Sequence, residues 1–278
     1  MRRLTGLLMV LCLLALATSC GSSASAQEIV TGAADATIAE STAKVALSVE
    51  ISGNELPNKL SITAEGVIDF AGERAAMTMD LGDSLAGAGV AATDATMEMV
   101  TQGTTIYMRS PLLSQGGMIS ADKWLKLDLV ELSKTQGLDL SQLQQAGSND
   151  PRQGLAFLEG ATEDGVEKLG TEDIRGVETT HYRAEIDLEN AIKKAGAVTD
   201  PEAFRRFVDS LGMSTITVDA WIDDDNRVRR LSMPLPVPYM ANGEAAMTMD
   251  YYDFGTDVDV RVPSEDEVVD FGEVLGAR

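Results

Sequence analysis

Apolar and polar residues alternate with a period of two through most of the chain, and nothing else in the sequence constrains the fold as tightly. In "AKVALSVEIS" (43–52), Val45, Leu47, Val49 and Ile51 fall on one face and Ala46, Ser48 and Glu50 on the other. "LSITAEGVIDF" (60–70) repeats the pattern, with Ile62, Ala64, Ile68 and Phe70 opposite Thr63, Glu65 and Asp69. Similar stretches follow at 74–81, 95–101, 104–109, 123–128, 166–170, 177–188, 214–223, 227–233 and 244–252. Successive strand residues point to opposite faces, so this pattern predicts antiparallel sheet with one covered face. "SGNELPNK", "FAGER", "TQGTT", "DIRGV" and "DDDNR" supply the turns. About ten or eleven strands in a meander are too many for a flat open sheet, so the sheet is expected to curve strongly.

Helices are few. Residues 28–40 read as an Ala-rich helix before the first strand. "DPRQGLAFLEGA" offers Asp150 as N-cap and Pro151 at the first helical position. "DPEAFRRFVDSLG" repeats that grammar with Asp200 and Pro201. There Phe204, Phe207, Val208 and Leu211 share one stripe, and Gly212 ends the helix. The expected class is α+β: a half-barrel of antiparallel strands with a few helices over its concave apolar face.

The N-terminus speaks to the compartment. Arg2 and Arg3 precede "LTGLLMVLCLLALA", an apolar run too short to span a bilayer. It ends in "LATSC", which resembles a bacterial lipobox. That resemblance implies a diacylglyceryl group on Cys20, cleavage between Ser19 and Cys20, and residence on the outer face of the plasma membrane. The expected organisation is a signal peptide at 1–19, a lipidated Cys20 with a flexible tether to 27, and one domain over 28–278. Cys12 belongs to the leader, so the mature chain keeps a single cysteine and must be held by its core. The formal net charge of −22 argues against nucleic acid and against a polybasic grip on anionic lipid.

Catalytic and metal motifs are thin. His181 is the single histidine, and alternation puts it on a polar face with Thr179, Arg183 and Glu185. "GDSLAG" (82–87) has the wrong spacing for a nucleophile elbow, and the two "DFG" triplets lack the other kinase motifs. "WIDDDNRVRRL" has the aspartates of a calcium loop without its central glycine or terminal glutamate. No catalytic residue, metal or cofactor is expected.

Methionine is the notable residue. Met-x-Met occurs at Met77/Met79, Met97/Met99 and Met247/Met249, twice inside the same six letters, "AAMTMD". In a strand both thioethers of a pair share a face, here the apolar one with Ala75 and Tyr251. Soft sulfur suits Cu(I), but copper sites usually add histidine or cysteine. Methionine fills irregular gaps and makes adaptable binding surfaces while specifying core shape poorly. Two readings stay open: a core filled by the protein, or a pocket for a lipid-like ligand. The pocket would be lined by these six methionines with Val45, Leu47, Val49 and Ile62, and gated by the 201–211 helix through Phe204, Phe207, Val208 and Leu211.

Several stretches occur in a telling order. They are the lipobox, the Ala-rich helix, "KWLKLDL" (123–129), "DPRQGLAFLEGATEDGVEKLGTEDIRGVETTHYRAEIDL" (150–188), "VDAWIDDDNRVRRLSM" (218–233) and "YDFGTDVDVRVPSEDEV" (252–268). Together they resemble actinobacterial lipoproteins of the LppX/LprG type, relatives in fold of the carrier LolA. The resemblance implies a bent antiparallel sheet closed by helices over a hydrophobic cavity. It also implies binding of acylated lipid or glycolipid, transport or presentation of that lipid in the envelope, and an exporter or envelope protein as partner. A surface lipoprotein with a packed core, acting through a protein partner, is the competing expectation, and a Met-rich Cu(I) binder the third.

Overall fold

The structure, a computed structural model, describes residues 24–53, 59–82, 84, 95–129, 152–195, 214–235 and 243–276. Its described strands are β1 (Thr42–Ser52), β2 (Leu60–Asp69), β3 (Arg74–Asp80), β4 (Thr96–Gln102), β5 (Thr105–Arg109), β6 (Trp124–Asp128), β7 (Ala161–Ile174), β8 (Val177–Asp187), β9 (Thr215–Ile222), β10 (Val228–Leu235), β11 (Glu244–Tyr252) and β12 (Val268–Asp270). They form one open, curved sheet in the order β12-β6-β5-β4-β3-β2-β1-β11-β10-β9-β8-β7. Neighbours run antiparallel except β12, which lies parallel to β6. The alternating stretches thus became strands. β7 is longer than expected, and β12 carries too few residues to show a period.

The helices among the described residues are α1 (Ala26–Ala39), α2 (Pro111–Gln115), α3 (Gln153–Ala156), α4 (Leu188–Ala195) and α5 (Phe271–Gly276). α1 begins inside the stretch expected as tether. A capping box sets that start: the Ser25 hydroxyl accepts from the Glu28 amide at 3.1 Å, and the Glu28 carboxylate accepts from the Ser25 amide at 2.7 Å. "DPRQGLAFLEG" forms only α3, with Arg152 as N-cap, and a 3-10 turn over Phe157–Gly160. The expected cap Asp150 and Pro151, the 201–211 helix and Cys20 lie outside the described residues.

The main core lies between the helices and one face of the sheet, called here the inner face. Val30, Ala33 and Ala34 of α1 are fully buried against Val45, Val218, Ala220 and Val228. Two consecutive alanines let the helix axis come close to the strands. Thr37 stitches the two layers: its hydroxyl donates to the Ala33 carbonyl at 2.6 Å and accepts the Val228 amide at 2.9 Å. The next strand turn is tied to the helix end as well. Asp223 accepts from Arg227 at 3.0 Å and Arg229 at 2.7 Å, and Arg227 also reaches Glu40 at 3.1 Å.

A second, smaller core lies on the outer face. After β11 the chain runs extended across the sheet to reach its edge, where β12 pairs with β6. Val258, Val260 and Val262 of this strap pack on Val67, Ala76, Val100, Tyr107 and Trp124. Asp257, Asp259 and Arg261, at the positions between and beside them, are exposed. The "TDVDVRV" alternation therefore belongs to a segment that covers a sheet rather than joins one.

Candidate functional site

Strand register assembles the predicted residues on the inner face. One cross-strand row reads Leu231, Met249, Leu47, Ala64, Met79 and Met97. A second reads Met233, Met247, Val49 and Ile62. A third reads Tyr251, Val45, Gly66, Met77, Met99, Met108 and Leu125. Paired residues project to the same side, so the six methionines, Val45, Leu47, Val49 and Ile62 share one surface. The two "AAMTMD" copies are not neighbours. β1 and β2 separate them, and the copies run in opposite directions with Met79 and Met249 in one row.

Burial divides this surface. Val45 is fully buried and Tyr251 nearly so, whereas the six methionines, Leu47, Val49 and Ile62 are all half-buried. Met77, Met247 and Met249 pack against the main core. Methionines at the margin of a core, with thioethers still accessible, make an adaptable apolar wall. Sequence reasoning missed Leu231, Met233, Met108 and Leu125, which extend the same rows. Their own alternation carried the signal, but the strand order was needed to use it.

Away from the strap the outer face is largely polar and carries the groove-shaped concavity that the sequence did not suggest. Its central row reads His181, Trp221, Arg230, Asp250, Ala46, Glu65, Thr78, Glu98 and Arg109. Asp250 is only 7% exposed. Burial alone would raise its pKa, but bonds and charges from Arg230 and Arg175 outweigh that and hold it below the ordinary carboxylate value. Arg175 comes from the β7–β8 turn. There Arg175 and Gly176 both take positive φ, 53° and 84°, in a tight two-residue hairpin.

His181 lies on the polar face, as alternation predicts. Its Nε2 is 2.9 Å from Asp219, and its ring stacks on Trp221 with centroids 4.1 Å apart. No serine hydroxyl bonds to it among the described residues. The aspartates of "WIDDDNR" form a turn whose first carboxylate is taken by two arginines and by the amides of Asp225 and Arg227. Burial pushes the Asp223 pKa up, but these donors prevail and the net direction is down.

No protein-family model matches the chain. It is similar to an uncharacterised 31.2 kDa protein of Streptomyces griseus, 31% identical over 157 residues, which are 55% of this chain and 49% of that protein. The chain thus spans about half the length of the curated relative it matches. Among solved structures it is similar to the lipoprotein LppX of Mycobacterium tuberculosis, with TM-score 0.47, 17% identity, and coverage of 85% of this chain and 98% of that one. LprF of Mycobacterium bovis gives 0.46, 15%, 86% and 97%. A LolA superfamily protein of Nitrosomonas europaea gives 0.32, 10%, 88% and 99%.

Proposed function

We propose that the protein is a non-enzymatic envelope lipoprotein of the LppX/LprG type, held by Cys20 to the outer face of the plasma membrane, that binds acylated lipid on its inner face. One observation carries the reading: register brings six half-buried methionines onto one continuous apolar surface. Acyl chains lie along these rows, beside Leu47, Val49 and Ile62. Each methylene removed from water contributes about 0.8 kcal/mol, so a long chain binds without polar contacts. Carriage or presentation of glycolipid to an exporter or envelope protein is the finer part of the proposal. Residues 201–211 are its candidate gate.

Native mass spectrometry of protein purified from its own host, with lipid extraction, is the first test, and a fluorescent fatty-acyl probe the second. Bound lipid and probe binding are expected. Substituting Met79→Asp and Met249→Asp should weaken the probe at least tenfold while the far-UV spectrum is unchanged. Repeated preparations without lipid or probe binding would sink the reading, and full binding by the folded double variant would place the ligand elsewhere. Tight binding in a Cu(I) titration would favour the metal alternative instead.

A further inference from the structure

The outer face carries a groove that lipid binding leaves unused. Its volume is about 640 Å3, and it crosses the strands from β10 to β4. Six strands at about 4.8 Å spacing make it about 24 Å long, enough for several residues of one extended polymer chain. The floor is small and hydroxylated, with Ser48, Thr63 and Thr248 in one cross-strand row. On its other side, beyond the Glu65 and Thr78 row, the strap covers Val67 and Ala76.

The two ends of the groove differ in charge. At one end Asp250 fixes two guanidiniums: Arg230 through Nε at 2.6 Å and Nη2 at 2.9 Å, and Arg175 through Nε at 3.1 Å. With Glu172 also acting on Arg230, this end is close to neutral and rich in guanidinium donors. Arg175 adopts a left-handed φ, costly for a long L side chain, in a turn that glycine or asparagine would fill with ease. The side chain so delivered forms a groove wall. At the other end Glu65 and Asp80 are exposed diagonal neighbours, about 7–8 Å apart at the backbone. Among the described residues no cation pairs with either.

The groove also lacks what peptides need. β1–β4, β10 and β11 are each paired on both sides, so no strand edge offers main-chain bonds. Apart from Ala46, Leu47, Ala64 and Met79, the residues that line it are hydroxylated or charged, and none is aromatic among the described residues. Recognition rests on side-chain hydroxyls, carboxylates and guanidiniums, the complement of a polyhydroxylated chain. We propose that this groove binds a linear glycan of neutral or amino sugars. The ring hydroxyls meet the serine and threonine floor, an ammonium sits between Glu65 and Asp80, and ring oxygens face Arg175 and Arg230. Uronate-rich or phosphorylated glycans are disfavoured by the unpaired carboxylates and the −22 net charge.

Leu47, Ala64 and Met79 of the acyl rows also line the groove, so the sugar test uses Glu65, Asp80 and Thr63, whose side chains project to the outer face, and not Met79→Asp. Calorimetric titration of the full-length protein compares a glucosamine pentamer, its N-acetylated counterpart, a galacturonate pentamer and pentalysine. The glucosamine pentamer is expected to bind in a salt-sensitive manner, and Glu65→Gln combined with Asp80→Asn should weaken it at least tenfold. The N-acetylated pentamer should bind less tightly and ignore that double substitution, and the galacturonate should not bind. Thr63→Phe, which fills the floor, should abolish both sugars with the thermal melt unchanged. Three results overturn the proposal: neither sugar binds, the double variant binds glucosamine as the parent does, or pentalysine binds as tightly as the amino sugar.

Discussion

Asp80 and Asp250 end the two copies of one six-residue stretch, yet their surroundings separate them. Asp80 is exposed and accepts one backbone amide, whereas Asp250 is buried and holds two arginines. Removing one partner of a buried charge cluster leaves the others uncompensated. Asp250→Asn should therefore cost about 2–3 kcal/mol, less than a fully buried pair because both arginines reach solvent. Asp80→Asn should stay within about 0.5 kcal/mol. Urea midpoints measure both, and equal values would refute the distinction. The same carboxylate sets a pH dependence. The folded-state pKa values of Asp250 and Asp223 are depressed, so their stabilisation is complete above the unfolded value of about 4 and is lost as pH falls through the folded values. A melting series from pH 6 downward should fall below about pH 4, and more gently in the Asp250→Asn chain. Thr101 is a simpler case: 5% exposed on the inner face, its hydroxyl has no partner among the described residues. Thr101→Val should leave stability unchanged or raise it by about 1 kcal/mol, since it removes an unsatisfied group without changing shape.

Element by element, the strands were legible because each carries its own period, and a period needs no partner to be seen. Helix ends were less so. The Ser25–Glu28 capping box stands in "SAQE", but a helix start at residue 28 leaves those residues in the tether. α3 is shorter than its proline-led grammar promises, and α2 and α5 are too short for a repeating stripe, whereas α4 has one in Leu188, Ala191, Ile192 and Ala195 that follows directly on a strand pattern. Glycine marks a constraint that only pairing reveals. Gly66 sits in the row between Val45 and Met77, where a Cβ would lie 2.2 Å from the Ala76 carbonyl oxygen and 2.8 Å from the Met77 Cα. The neighbouring backbone, not a movable side chain, is what such a Cβ would strike. Gly66→Ala should cost at least about 2 kcal/mol, as overpacking against rigid surroundings does. A denaturant midpoint unchanged from the parent would show that β2 and β3 separate there at no cost.

On the scale of the whole molecule, strand order decides what the faces become, and order was not written in any one stretch. Alternation placed the methionines on an apolar face, but only the sequence β10-β11-β1-β2-β3 brings Met249 and Met79 into one row, and Asp250 beside Arg230. The same order creates a problem at the margin, because β11 lies inside the sheet and β6 near its end. The strap solves it twice over. Its valines cover Val100, Tyr107 and Trp124, and β12 pairs with the open side of β6. Lys123 donating to the Asp266 carbonyl, and Arg261 bonded to Glu267, hold the last part in place. An uncovered apolar patch beside an unpaired strand edge is a template for association. A chain ending at Gly255 should therefore form oligomers on light scattering and bind a hydrophobic dye. Replacing Val258, Val260 and Val262 with serine keeps β12 in the chain and should expose the patch alone, giving dye binding with less association. A truncated chain that stays monomeric and dye-silent would mean the sheet protects its own edge without the strap.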